Sequence, residues 1–253
     1  NTIGITELVA EGITDFKRSP VNRRFNLTFG AKKLNGVLIK SGETISLVKT
    51  LGKIDGSHGW KPELVILGSK ITPEFGGGMC QVATTLFRSA LNAGLPIVER
   101  SNHSLRISYY EPPVGLDATI YEPRPDLRFT NNYPTPLLIQ TEVVGTKLIF
   151  RMYGTKDGRS VSIPTPKVFN QVAVPATKYV QVDTLKPGEQ KCQKPGHPGA
   201  DAIATYTVTY PDGTKKVQVF KSHYRAIGII CQVGKAAVIP PVTNTNSSAN
   251  INL

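Results

Sequence analysis

Three consecutive glycines, Gly76, Gly77 and Gly78, run directly into Met79-Cys80-Gln81 and constrain the fold more tightly than any other stretch of this chain. Glycine reaches backbone torsions that other residues avoid, and it lets the main chain approach its neighbours closely. Immediately afterwards Val82, Leu86, Ala90 and Leu91 recur at helical spacing, and Gly94 with Pro96 ends the run. The pattern predicts an amphipathic helix with Cys80 at its N-terminus. A thiol placed there faces unpaired N–H groups and the positive end of the helix dipole, and both favour the thiolate.

The rest of the chain reads as short elements. Ile3, Ile5, Leu8 and Gly12-Ile13-Thr14 suggest a strand within residues 1–20, closed by Ser19-Pro20. Residues 21–36 read as a helix around Phe25 to Leu34, stopped by Asn35-Gly36. Val37 to Ile39 and Thr44 to Val48 are short strands around Ser41-Gly42-Glu43. After Gly94 the pattern turns to alternation. Leu105 to Tyr110 and Ala118 to Tyr121 read as strands, and Leu137 to Val144 with Thr146 to Met152 as a hairpin around Gly145. Lys156-Asp157-Gly158, Pro164 and Pro166 mark residues 155–168 as a linker. Beyond it Val172 to Val182 is extended, and Ala204 to Tyr210 with Thr214 to Tyr224 flank the turn Pro211-Asp212-Gly213. The polar tail from Pro240 reads as disordered. The expected class is α+β: a first domain over 1–158, its cysteine-bearing helix packed on an antiparallel sheet. A small all-β domain over 168–235 and a disordered tail over 236–253 follow.

Charge and cysteines narrow the setting. A formal net charge of +12 predicts an anionic partner. The basic residues are scattered, and neither zinc-finger spacing nor an RNA-binding sheet motif is present, so nucleic acid is not expected. The charge alone leaves anionic wall polymers and a membrane surface open as that partner. No stretch approaches the roughly 20 apolar residues of a membrane span, and no signal peptide opens the chain. The abrupt start at Asn1-Thr2-Ile3 reads as a fragment of a longer secreted or membrane-anchored protein. Cys192 and Cys231 lie far from Cys80, which suggests one disulfide, one free reactive thiol and an oxidising compartment. The alternative is two unpaired buried thiols.

A nucleophilic cysteine needs a base and a group that orients the base. His103 follows Cys80 by about two dozen residues, ahead of the expected strand 105–110. His58 sits in a glycine-rich loop, and His197 and His223 belong to the expected second domain. Asp117 and Asp126 are candidate orienters, and the N–H groups near Met79, Cys80 and Gln81 are candidate oxyanion donors. The bland readings stand beside these: an inert buried cysteine, a structural histidine, and a turn or capping role for Asp117. A zinc site on Cys80 and His103 lacks a second close ligand pair, so neither metal nor cofactor is expected.

The run from Gly76 to Phe87 resembles the signature of the VanW domain family. Leu34-Asn35-Gly36, Ser41 to Ser46, Glu99-Arg100 with His103-Ser104, Asp117-Ala118-Thr119, and Asp126 to Phe129 with Asn131-Asn132 fit the same family, over about residues 15–155. The stretch from Val172 to Val233 is similar to the G-five domain, a strand-rich module of cell-surface enzymes. It departs from that pattern at Lys191-Cys192-Gln193-Lys194.

The resemblance implies a cysteine L,D-transpeptidase of bacterial peptidoglycan acting outside the cytoplasm on stem peptides. It makes Cys80 the nucleophile, His103 the base and Asp117 the third member. A thioester on Cys80 would pass to a second stem, giving a 3-3 crosslink. Gly77, Gly78, Gln81, Arg100, Ser104, Arg106 and Arg128 are the expected substrate contacts. The rivals are a papain-like wall amidase or endopeptidase, a non-catalytic wall-binding module, and a surface scaffold.

Overall fold

A computed structural model describes residues 4–67, 70–193 and 196–235 of the chain. The first half runs β1 (Glu7–Asp15), α1 (Val21–Leu34), β2 (Leu38–Ile39), β3 (Thr44–Ser46), α2 (Leu47–Leu51), β4 (Pro62–Leu67), β5 (Lys70–Phe75) and α3 (Met79–Asn92). It continues through β6 (Ile97–Glu99), β7 (Arg128–Thr130), β8 (Leu137–Val144), β9 (Lys147–Gly154), β10 (Ser160–Ser162) and β11 (Lys167–Val172). The chain then adds β12 (Lys178–Val182), β13 (Gln190–Gln193), β14 (Gly199–Thr209), β15 (Lys215–Tyr224) and β16 (Ile230–Gly234). The class is α+β with mostly antiparallel sheets.

The principal sheet has the order β1-β9-β8-β2. β8 and β9 form the expected hairpin, with Gly145 at φ 60°, a torsion that tight turns need and β-branched residues resist. β1 pairs along β9 from Glu7↔Gly154 to Asp15↔Lys147. α3 lies against β1 and β9. Eleven of its 14 residues are buried, so the amphipathic helix is enclosed on most sides, with Leu86 and Phe87 wholly inaccessible. The fit against β1 is close. A Cβ on Gly12 would lie 2.4 Å from Thr85 O and 2.6 Å from Ser89 N. Beneath it Gln81 Nε2 donates to Thr14 Oγ1 at 3.0 Å, and Thr14 and Thr85 hydroxyls meet at 2.7 Å.

Several expectations change. Residues 105–110 are not a strand; a single 3₁₀ turn covers Ser108–Tyr110. Residues 118–121 contribute only an isolated bridge, Ser101↔Thr119. Alternation in the sequence reported burial there, because Leu105, Ile107 and Tyr110 are buried, but among the described residues no strand pairs with them. Thr44–Ser46 is a strand, but Leu47 and Val48 begin α2, capped by the Ser46 side chain. The expected linker carries β10, which pairs with β14.

The chain divides into two compact units. One comprises Asn1–Val174 with His197–Ile227, the other Pro175–Gly196 with Gly228–Leu253. The hairpin β14–β15 therefore belongs with the N-terminal part, rather than to a separate domain over 168–235. The reason is packing: Tyr206 and Phe220 from this hairpin join the core cluster that holds Phe87. The second unit carries the sheet β12-β16-β13. Its Cys192 and Cys231 stand opposite each other in register and form a disulfide, leaving Cys80 as the free cysteine. Closing 39 residues contributes about 3–4 kcal/mol in the chain-entropy account. The expected disordered tail, 236–253, lies outside the described residues.

Gly12→Ala tests the seam between α3 and β1. Forcing a methyl onto backbone atoms of Thr85 and Ser89 is expected to cost about 3 kcal/mol, at the upper end of overpacking penalties, read as a lower urea midpoint. An unchanged midpoint would mean that the seam opens freely.

Candidate active site

Cys80 is the second residue of α3, following Gly78 at φ 113°. Gly76 also lies in the left-handed region, at φ 77°, and a Cβ there would sit 2.2 Å from Ile54 Cγ2. Both torsion and space thus demand glycine at this position. Asn26 of α1 secures the turn from beneath, its amide donating to Gly77 O at 3.1 Å and Lys61 O at 2.9 Å.

α3 also positions the acid. Thr84 Oγ1 donates to Ala118 O at 3.1 Å and accepts from Ala118 N–H at 3.0 Å. Arg88 donates to Leu116 O at 3.1 Å and Tyr110 O at 2.5 Å. These side chains supply the partners that strand pairing does not, as buried backbone groups require. They string residues 116–120 along the helix that carries Cys80.

Asp117 is buried and ringed by donors. Its Oδ2 accepts from the His103 backbone N–H at 2.8 Å and from His103 Nδ1 at 2.5 Å. Its Oδ1 accepts from the Tyr224 hydroxyl at 2.5 Å and from Arg100 at 3.2 Å. Arg100 is itself buried, and spends its other donors on Asp117 O, Gly115 O and Ser222 Oγ. With Nδ1 donating to an ionised Asp117, Nε2 is the ring nitrogen left to face Cys80 across the cleft that both line. The sulfur also lies 3.2 Å from Thr119 Oγ1 and 3.6 Å from Ile120 O.

The electrostatics follow from this wiring. Burial pushes the Cys80 thiol up, but its bond to His103 and the imidazolium charge outweigh that and bring it to about 7. Burial pulls His103 down, while its bonds to Asp117 and Cys80 carry it up to about 9. Asp117 is raised by burial and lowered more strongly by His103 and Arg100, ending well below the usual carboxylate range. Between about pH 7 and 9 the favoured state is thiolate beside imidazolium.

Cys80 and His103 open onto a cleft of about 850 Å³, whose walls include Gly78, Ser104, Tyr109 and Tyr121. The other expected contacts lie elsewhere. Gly77 packs on Glu63, Gln81 is bonded to Thr14, Arg100 holds Asp117, and Arg106 is paired with Glu111. Arg128 stands in β7 opposite Ser46 and Glu99. Asp126 accepts from Ser46 Oγ and Val48 N–H at the start of α2, and exposed His58 is bonded to Asp55. Of the three expected oxyanion donors, Met79 and Gln81 give their N–H groups to Gly76 O and Gly78 O. The Cys80 N–H is the one not committed to a carbonyl of that turn.

Sequence reasoning missed Thr119, Tyr109 and Tyr224. Thr119 lay inside a quoted motif, and its offset of two from Asp117 was the available signal. Nothing in the sequence links Tyr224 to Asp117, 107 residues away.

The family described as VanW like protein matches residues 22–153 of this chain. The chain is 33% identical over 150 residues to uncharacterized protein YoaR of Bacillus subtilis (strain 168), a match covering 59% of this chain and 49% of that protein. It is 33% identical over 164 residues to vancomycin B-type resistance protein VanW of Enterococcus faecalis (strain ATCC 700802 / V583), covering 63% of this chain and 56% of that one. The chain thus spans about half the length of these curated relatives.

Alkylation of Cys80 tests the coupled pair. Its rate is expected to rise with a midpoint near pH 7, below the value of about 8.5 for a free cysteine. His103→Ala removes the cation that stabilises the thiolate, and Asp117→Asn removes the carboxylate that stabilises the cation, so both move the midpoint upward. Tyr224→Phe strips a donor from a buried carboxylate and is expected to cost about 1–3 kcal/mol of stability in urea unfolding.

Proposed function

This chain belongs to the VanW-like family, and from that membership and the Cys80–His103–Asp117 relay we propose that it is a cysteine-dependent acyltransferase of the bacterial cell wall, an L,D-transpeptidase. The observation that carries the reading is the relay itself, a thiol coupled to an imidazole that a buried carboxylate orients, at the edge of an open cleft. The name of the Enterococcus relative, a vancomycin resistance protein, supports a cell-wall setting. The net charge of +12 suits a matrix of anionic polymers.

The reaction divides into two halves. The Cys80 thiolate attacks the carbonyl of the third residue of a donor stem tetrapeptide, and the Cys80 N–H receives the developing oxyanion. The C–N bond to the terminal D-alanine breaks, and that amine leaves with the proton of the His103 imidazolium. A thioester remains on Cys80. The side-chain amine of a second stem then attacks it, neutral His103 takes the amine's proton, and the new amide leaves as a 3-3 crosslink while the thiolate is restored. A papain-like amidase would follow the same first half and pass the acyl group to water.

The first half sets the pH dependence. Acylation rises as Cys80 loses its proton near pH 7 and falls as His103 loses its own near pH 9, since the leaving amine then finds no acid. Incubation with a stem tetrapeptide should give an adduct of the tripeptide acyl group by intact mass. Cys80→Ala should abolish it, with turnover falling by about a thousandfold or more. A muropeptide digest separates transfer, which leaves 3-3 dimers, from hydrolysis, which leaves shortened stems. Lack of an adduct under conditions where Cys80 alkylates normally would sink the proposal.

A further inference from the structure

We infer that the Arg23 end of the cleft binds the carboxylate of the acyl donor. Arg23 lies in the first turn of α1 and lines the cleft with Cys80 and His103. Its guanidinium is stacked 5.0 Å from the centre of the Tyr109 ring. Nη1 donates to Ser19 Oγ at 2.7 Å, and Nη2 to the Tyr109 hydroxyl at 3.3 Å. Both partners are neutral. By contrast Arg100, Arg106, Arg151 and Arg159 each close on a carboxylate. Among the described residues no carboxylate pairs with Arg23, which offers its charge and spare donors in a fork that fits a carboxylate two-pronged.

Its place in the cleft wall comes from two braces. A Cβ on Gly78 would sit 3.2 Å from Arg23 Cγ, so the arginine stem runs against the residue that caps the Cys80 helix. Tyr109, beneath the guanidinium, meets Tyr110 edge-on at 4.6 Å, and Tyr110 lies 5.2 Å from the His103 ring. One aromatic wall therefore links the cation to the base. Glu74 and Glu122, which also line the cleft, are bonded elsewhere, to the Tyr121 hydroxyl and the Ile54 N–H. This site rests on the acyl-transfer reading for its ligand: the leaving D-alanine bears a free carboxylate one residue beyond the scissile carbonyl.

The test does not need the natural substrate. Cys80 is alkylated with iodoacetate and with iodoacetamide, which differ in one negative charge, in the wild type and in Arg23→Gln and Arg23→Lys. Loss of the Arg23 charge is expected to lower the iodoacetate-to-iodoacetamide rate ratio roughly fivefold while leaving the iodoacetamide rate unchanged. Arg23→Lys should keep most of the ratio. An unchanged ratio in Arg23→Gln overturns the assignment. So does an equal fall of both rates, which would make Arg23 a support for the wall and not an anion site. A second arm compares tetrapeptide donors ending in carboxylate or carboxamide. Preference for the carboxylate that disappears in Arg23→Gln extends the site to the donor, and equal acylation by both denies it that ligand. If neither peptide acylates Cys80 while the iodoacetate effect holds, the transferase reading falls and the carboxylate site stands.

Discussion

The buried negative charge of Asp117 is the interaction on which the site depends. A carboxylate removed from water is costly unless donors replace its hydration. Here the replacements are two groups of His103, the guanidinium of Arg100 and the hydroxyl of Tyr224. Each donor is fixed in turn. Arg100 is tied to Gly115 O and Ser222 Oγ, and the loop that carries Asp117 is tied to α3 through Thr84 and Arg88. Satisfying one charge therefore orients one imidazole and draws β15 against the loop.

That orientation sets the chemistry of the sulfur. Burial alone makes a thiol less acidic. The imidazolium that Asp117 stabilises reverses the effect at Cys80, and the thiolate in return holds the proton on His103. Each shift strengthens the other, alongside Asp117 at His103 and Thr119 at Cys80, so the two titrate as a pair. The helix start contributes the Cys80 N–H, and the glycine turn lets that start lie flush against Ile54 and α1. Cleft, relay and turn share α3 as their common wall.

The sequence was most legible where local rules suffice. The glycine turn, the start of α3, the β8–β9 and β14–β15 hairpins and the pairing of Cys192 with Cys231 follow from torsion, periodicity and cysteine count. Reading failed at residues 105–110 and 118–121, where alternation suggested strands. Those residues bury Leu105, Ile107, Tyr110, Ala118 and Ile120, while α3 side chains bond Tyr110 O and both backbone groups of Ala118, an arrangement that periodicity cannot distinguish from a sheet. The arginines show what spacing leaves open. Arg100 and Arg106 were expected at the substrate, yet acidic partners claim both. Arg23 drew no notice, because nothing nearby in sequence marks it as unpaired.

By itself, then, the sequence determined where Cys80 stands and the conformation that presents it, since a glycine run entering a helix constrains only its own backbone. It also offered His103 and Asp117 as partners, though nothing in their spacing required them to meet. Tertiary structure decided that they do, that Tyr224 and Arg100 hold the acid, and that the hairpin β14–β15 packs with the first unit. The physical reason is that charge compensation in a buried site is settled by whichever donors the fold brings within about 3 Å, regardless of their separation along the chain.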